Sequence, residues 1–210
     1  QLDSFDRGFS FRGDGPFDMR MYTSDETIHT AAWHISNLQP KQLEKCIREF
    51  GEEEPAFAKL VAESLCTAKP QRTREAVTII EECASRACIP VGKVHIATKT
   101  FQALRILVNG ELGALETLLD GAEKCLAPGG LMAIITFHSL EDDLVRRKVR
   151  GESLARSSQK MDGSGDNSCW IPAGSREGLR PSEEEVARNA RSRSARLRLA
   201  VRRGHVVSDQ

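Results

Sequence analysis

The 210-residue sequence carries no net charge, because thirty basic side chains balance thirty acidic ones. Bulk electrostatics therefore argues for no nucleic-acid partner, and only a local clustering of arginines can do so. No run approaches the ~20 apolar residues that span a bilayer, so no membrane segment is expected. The six cysteines, at positions 46, 66, 83, 88, 125 and 169, contain no CxxC pair, which speaks against structural zinc and against a secreted disulfide scaffold. Cys46, Cys66, Cys83 and Cys125 fall on apolar positions of predicted helices, as reduced core thiols in a reducing compartment do. GxSxG, a Walker loop, HExxH and GxGxxG are all missing, which removes the commoner hydrolase, nucleotidase and dinucleotide signatures. No internal repeat is visible. The chain opens on Gln1-Leu2-Asp3 with neither an initiator Met nor a targeting pattern, and is expected to be a piece of a longer protein.

What is present is 40% hydrophobic, enough for a real core in one ordinary domain plus a smaller one. Residues 112–142 hold the most informative pattern. Leu112, Leu115, Leu118, Leu119, Ala122 and Leu126 recur at helical spacing and place one stripe on a core. Pro128-Gly129-Gly130 stops that helix. Leu131 to Phe137 is then a continuous apolar run, suited to a parallel strand covered on both faces, and predicts the second half of a doubly wound α/β sheet. His138, Ser139, Glu141 and Asp142 sit at the strand's carboxyl end, where ligands bind in such sheets. These four are compatible with a metal site or a general base. Glu141 and Asp142 equally suit a helix N-terminus, with Ser139 as its cap, and a lone His at a strand end is more often structural.

Elsewhere, residues 1–22 form an ordered loop rich in Gly, Asp, Arg and Phe. From Ser24 to Pro90 four short amphipathic helices are expected: one from Ser24 through Ile35, one ending at Gly51, one opened by Pro55 and one capped by Thr73. They would make an all-α subdomain. A further helix is expected through Phe101, Leu104 and Val108. Arg146, Arg147, Lys148 and Arg150 complement the carboxyl pole of the helix after Ser139. Residues 151–180 are Gly/Ser-rich and expected to be a mobile loop. A helical turn at Pro181–Val186 precedes a final strand, in which Ala195, Leu197, Leu199 and Val201 face the core and Arg196, Arg198 and Arg202 form a basic face.

Four blocks, in order, carry a resemblance. They are Arg7-Gly8-Phe9-Ser10-Phe11 with Asp14-Gly15-Pro16-Phe17-Asp18-Met19-Arg20-Met21; Thr100-Phe101-Gln102-Ala103-Leu104-Arg105-Ile106; Phe137-His138-Ser139-Leu140-Glu141-Asp142; and Pro181-Ser182-Glu183-Glu184-Glu185 with Arg191-Ser192-Arg193-Ser194-Ala195-Arg196-Leu197-Arg198. Together they resemble the small-subunit ribosomal RNA cytosine-N4 methyltransferases over nearly the whole chain.

The resemblance implies a partial class I S-adenosylmethionine-dependent, Rossmann-like fold. It divides the chain into a signature loop at 1–23, a helical substrate-recognition insert at 24–92, and the rest of the methyltransferase domain at 93–210. It implies methyl transfer to the exocyclic amine of a cytidine in the decoding region. The partner would be small-subunit rRNA or the assembling subunit, in the bacterial cytoplasm or an organellar matrix, with no metal; a homodimer is compatible with it. Gln1 matches a glutamine that touches the cofactor. The glycine-rich loop and acidic strand ends that complete the cofactor site in the family have no counterpart, so the chain is expected to be inactive alone. Asp18, His138, Ser139 and Glu141 are the candidate catalytic residues. Arg7, Phe9, Phe11, Arg12, Arg20, Arg105, Arg193, Arg196 and Arg198 are the candidate RNA contacts. A non-catalytic RNA-binding or ribosome-assembly module, or a class I methyltransferase with another substrate, are the alternatives.

Overall fold

The structure, a computed structural model, describes residues 5–11, 13–90, 92, 94–151 and 168–204. It divides into two units, the first ending at Glu111 and the second beginning at Leu112.

The first unit is five helices and the loop that precedes them. Helix α1 spans Ala31–Asn37 and starts later than the sequence suggests: Thr30, not Ser24, caps it, its hydroxyl accepting from the Trp33 amide. Residues 23–30 are turns instead, pinned by Asp25, whose carboxylate accepts from the Thr27 amide and hydroxyl. Helix α2 (Pro40–Phe50) buries Leu43, Cys46 and Ile47 and stops at Gly51. A Cβ on Gly51 would lie 2.6 Å from the carbonyl oxygens of both Ile47 and Lys99, so glycine is what lets α2 approach the next-but-two helix so closely. Helix α3 (Pro55–Ala68) is capped by the Glu54 carboxylate and buries Phe57, Ala58, Val61, Ala62 and Leu65. Helix α4 (Thr73–Arg86) contributes Ala76, Val77, Ile80, Cys83 and Ala84. Helix α5 (Thr98–Asn109) contributes Phe101, Ala103, Leu104, Ile106 and Val108 and ends at Gly110. Each fully buried aliphatic or aromatic side chain stabilises the fold by about 1.5–3 kcal/mol relative to exposure, so this core is what holds the loop's platform in place.

Phe101 and Leu104 pack with the helices before them, and the compact unit they belong to ends at Glu111. Thr73 also differs from expectation: it is the first helical residue, and its buried hydroxyl binds the Gly13 carbonyl at 3.1 Å and accepts from the Gly15 amide at 3.1 Å.

The second unit takes most of helix α6 (Glu111–Cys125), then strand β1 (Leu131–Thr136), helix α7 (Ser139–Arg150), strand β2 (Trp170–Ala173), helix α8 (Glu183–Arg188) and strand β3 (Arg196–Arg202). The sheet order is β1-β3-β2, and both pairings are antiparallel, with Met132 opposite Ala200 and Ile134 opposite Arg198. Two expectations are corrected by this register. β1 is not covered on both faces, since Leu131 and Ile135 remain 57% and 59% exposed while Met132 and Thr136 are buried. An apolar run specifies a strand but not its neighbours. The faces of β3 are also inverted. Ala200, Arg198 and Arg196 share the inner face with Met132, Ile134 and Thr136, whereas Leu197, Leu199 and Val201 lie on the side of Leu131 and Ile135. The core gathers Leu119, Met132, Leu144, Val145, Val149, Trp170 and Ala200. Leu118, expected in the α6 stripe, and Cys125 are exposed. Within the stretch expected to be a mobile loop, residues 152–167 lie outside the described residues, and Trp170–Ala173 is a sheet strand. No helix among the described residues is long and apolar enough to cross a membrane.

Candidate functional site

The loop from Arg7 to Met21 is folded back on itself and riveted to the first unit at both ends. Gly8 adopts φ +69°, and a Cβ there would lie 2.5 Å from the Pro16 carbonyl oxygen and 2.8 Å from the Asp18 nitrogen. Only glycine permits that crossing. Nη2 of Arg7 donates to the carbonyls of Arg20 (2.7 Å) and Met21 (2.9 Å). From the other side Asn109, the last residue of α5, acts as a clamp: Nδ2 donates to the Met19 carbonyl at 2.8 Å and Oδ1 accepts from the Met21 amide at 2.7 Å. At the loop's middle, Asp14 pairs with Arg72 and Phe17 donates its amide to the Gln71 carbonyl. The carbonyls of Asp18 and Phe17 receive the Ala31 and Ala32 amides, so the loop also supplies partners for donors that a helix start leaves unpaired.

Asp18 and Arg20 form a two-point ion pair, Nε to Oδ1 at 2.7 Å and Nη2 to Oδ2 at 2.9 Å. The Arg20 guanidinium holds the Asp18 carboxyl below the usual carboxylate range despite partial burial, so Asp18 is a fixed anion and acceptor rather than a proton donor. The two aromatic candidates are engaged in packing. Phe9 is in the core, and Phe11 is packed against it with its ring stacked on His95 (centroids 4.7 Å) and edge-on to Phe101. These rings are committed to packing and not open to a base. Arg105 is bound at two points by Glu111, 2.7 and 2.8 Å. Gln1 and Arg12 lie outside the described residues.

In the second unit, the tip beyond β1 is a helix cap. His138, not Ser139, is the N-cap: its Nδ1 accepts from the Glu141 amide at 3.4 Å, while the Glu141 carboxylate accepts from the amides of Phe137 (2.7 Å) and His138 (3.3 Å). Nε2 of the same ring faces Glu141 Oε1 at 3.3 Å. With Nδ1 accepting, the neutral ring carries its proton on Nε2, so the cap selects the tautomer. Ser139 is the exposed first residue of α7.

Asp142, the residue after Glu141, accepts from Arg198 (2.6 and 2.9 Å), Arg196 (3.1 Å) and the Thr136 hydroxyl (3.4 Å). Arg196 and Arg198 are thereby committed to joining β3 to α7, whereas Arg193 is exposed on the turn before β3. The signal that was missed is Asp142 itself, which looks in sequence like one more first-turn acid.

Arg146 and Arg147 pair with Asp143, and Lys148 with Asp120 and Glu123. Lys148 thereby braces α7 against α6, while Arg146 and Arg147 pair within α7. A cavity of about 280 Å³ in this unit is lined by Arg146, Arg150, Arg176 and Arg198 together with Val149 and Pro172. S-adenosylmethionine carries a cationic sulfonium, which four guanidinium groups repel. This cavity therefore does not suit that cofactor's sulfonium.

Three named relatives are each called ribosomal RNA small subunit methyltransferase H. The protein of Synechococcus elongatus is 41% identical over 203 residues, covering 96% of this chain and 62% of the relative. That of Anaeromyxobacter sp. (strain K) is 41% identical over 204 residues, covering 94% and 64%. That of Paramagnetospirillum magneticum is 40% identical over 209 residues, covering 96% and 64%. The chain thus spans somewhat less than two thirds of the length of these relatives. With residues 1–203 matching that family's description throughout, the chain belongs to the MraW methylase family, and its mixed α/β architecture is part of a class I methyltransferase fold.

Proposed function

We propose that the protein to which this chain belongs methylates the N4 amine of a cytidine in small-subunit ribosomal RNA, with S-adenosylmethionine as methyl donor, in a reducing cytoplasmic or organellar compartment. The observation that carries this reading is the 41% identity to a protein named for that class of substrate across 96% of the chain. The geometry supports it as positioning chemistry. The lone pair on cytosine N4 is drawn into the ring, so such an enzyme orients the amine with fixed acceptors and needs no covalent nucleophile. Two rigid elements of the required kind are present: a clamped loop carrying the ionised Asp18, and a capped helix start displaying Ser139, with His138 and Glu141 holding it. Arg193, exposed before β3, is the arginine this reading assigns first to an RNA phosphate, which makes binding salt-sensitive.

The test is to incubate the intact protein with small-subunit RNA or particles and S-adenosylmethionine, digest to nucleosides and weigh them. N4-methylcytidine is the expected product. A different methylated nucleoside would assign another substrate, and none would overturn the reading. For the 210 residues taken alone, the arginine-lined cavity favours a second reading, an RNA-binding portion without cofactor affinity. Calorimetry with S-adenosylmethionine is expected to give no heat, and tight binding would refute it.

A further inference from the structure

In the first unit, outside the clamped loop, three aromatic rings form a cluster at the start of α1. His29 lies flat on Trp33, centroids 3.6 Å apart and planes within 15°, and His34 stands edge-on to Trp33 at 5.3 Å. The stack has a local structural use, because His29 precedes the cap and braces the helix entry in the manner of a staple. That use does not require surface aromatics, which an aliphatic pair would replace at lower cost in exposed ring area. Yet Trp33 is 42% exposed and His29 is exposed as well, leaving ring area open.

The stack is also held rigidly. Thr30 accepts the Trp33 amide at 3.1 Å, Asn37 donates to the Trp33 carbonyl at 2.8 Å, and the first two amides of α1, those of Ala31 and Ala32, are bound by the carbonyls of Asp18 and Phe17. Arg20 extends its guanidinium to the carbonyl of Ile28, the residue before His29, at 3.5 Å. Burial, with the neighbouring His29, holds His34 below its ordinary pKa.

We propose that the His29–Trp33 stack is a platform on which an unpaired base of single-stranded RNA stacks as a third ring. Two rings at van der Waals separation are already spaced as stacked bases are, and exposed aromatics next to guanidinium groups are how proteins hold single strands without reading their sequence. The neighbouring surface favours a nucleic acid over a protein partner. It offers the rings of His29, Trp33 and His34 rather than an aliphatic patch. The proposal deepens the rRNA reading above and rests on it for the class of partner, but not for the occurrence of methyl transfer.

Trp33 makes the test direct, because the other tryptophan, Trp170, is 1% exposed in the core of the second unit. Titrating the chain with a single-stranded RNA oligonucleotide of about 12 nucleotides should quench Trp33 fluorescence, whereas the same sequence as a duplex should not. By anisotropy of labelled oligonucleotide, Trp33→Ala and His29→Ala should each weaken binding about tenfold, and Trp33→Tyr should restore most of it. Circular dichroism checks that each variant is folded; Trp33→Tyr and His29→Ala keep the test open if Trp33→Ala is not. Binding without quenching, or equal affinity in all folded variants, would overturn the platform. So would fluorescence that answers only to a ribosomal protein and not to RNA. None of these outcomes depends on methylation, so an inactive protein that still shows quenching separates failure of the catalytic reading from failure of this one.

Discussion

Asp142 receives Arg198 side-on, with Nε 2.6 Å from one carboxylate oxygen and Nη2 2.9 Å from the other, and both side chains are at least 85% buried. This pair joins the last strand to the helix that follows β1. It explains why two arginines point inward on a strand whose leucines would be expected to do so.

Removing one partner leaves the other charge buried and unpaired, so Asp142→Ala should destabilise the second unit by about 3 kcal/mol. Burial opposes ionisation of Asp142, but the hydrogen bonds from Arg198 and the charges of Arg198 and Arg196 outweigh it and hold the carboxyl below its ordinary value. A carboxyl depressed in the folded state contributes stability above the unfolded pKa of about 3.9 and loses it as pH falls through the lower folded value. Urea midpoints measured from pH 7 down to pH 3 should therefore converge between the parent and the variant at the acid end. A gap that stays constant would show that the pair contributes through packing and not through charge.

Asn109→Ala removes both clamps on the Met19–Met21 backbone. The expected cost is about 2 kcal/mol for two bonds, and amide exchange at Met21 should accelerate selectively. Gly8→Ala should cost about 3 kcal/mol, because it combines a left-handed φ with a clash against backbone. If both variants melt with the parent, the loop is not organised by these contacts.

His138→Ala should lower stability by about 1 kcal/mol through loss of the cap, while His138→Asn, a strong capping residue, should recover it. Because the ring acts here on the α7 start, His138→Asn should also keep most methyl transfer in the intact protein. A low turnover at parental melting temperature would instead assign the ring a direct contact with substrate.

The thiols should divide by exposure. Cys88 and Cys125 are exposed and Cys46 and Cys83 are buried; burial pushes the Cys46 thiol up to about 12. With a maleimide on the folded chain, Cys88 and Cys125 should be modified first, with Cys46 and Cys83 reacting only as the protein unfolds. Rapid modification of Cys46 would contradict the packing of α2 against α5.

Much of this was legible in the residues. Gly51 and Pro55 mark helix ends where the structure has them, since backbone constraints at Pro and Gly act locally. The strand at Leu131 and the helix after it were equally plain. The roles of the arginines were not: Arg7, Arg105, Arg196 and Arg198 all look like phosphate ligands in sequence, and each finds an internal acceptor. That distinction depends on partners 6 to 56 residues away, and no local pattern encodes them. The packing of Phe9 and Phe11 was hidden for the same reason, because whether a ring is exposed depends on the helices that close over it.

By itself, then, the sequence determined the helices, the turn before β1, the reduced thiols and the family, all of which rest on local chain stiffness and on residue blocks in fixed order. Tertiary structure alone decided that the last strand turns its arginines inward, that His138 caps a helix, that Asn109 clamps the loop and that His29 lies on Trp33. The physical reason is that hydrogen bonds and ring contacts are short-ranged in space. Which groups come within 3 or 4 Å of one another is settled only when the chain has packed.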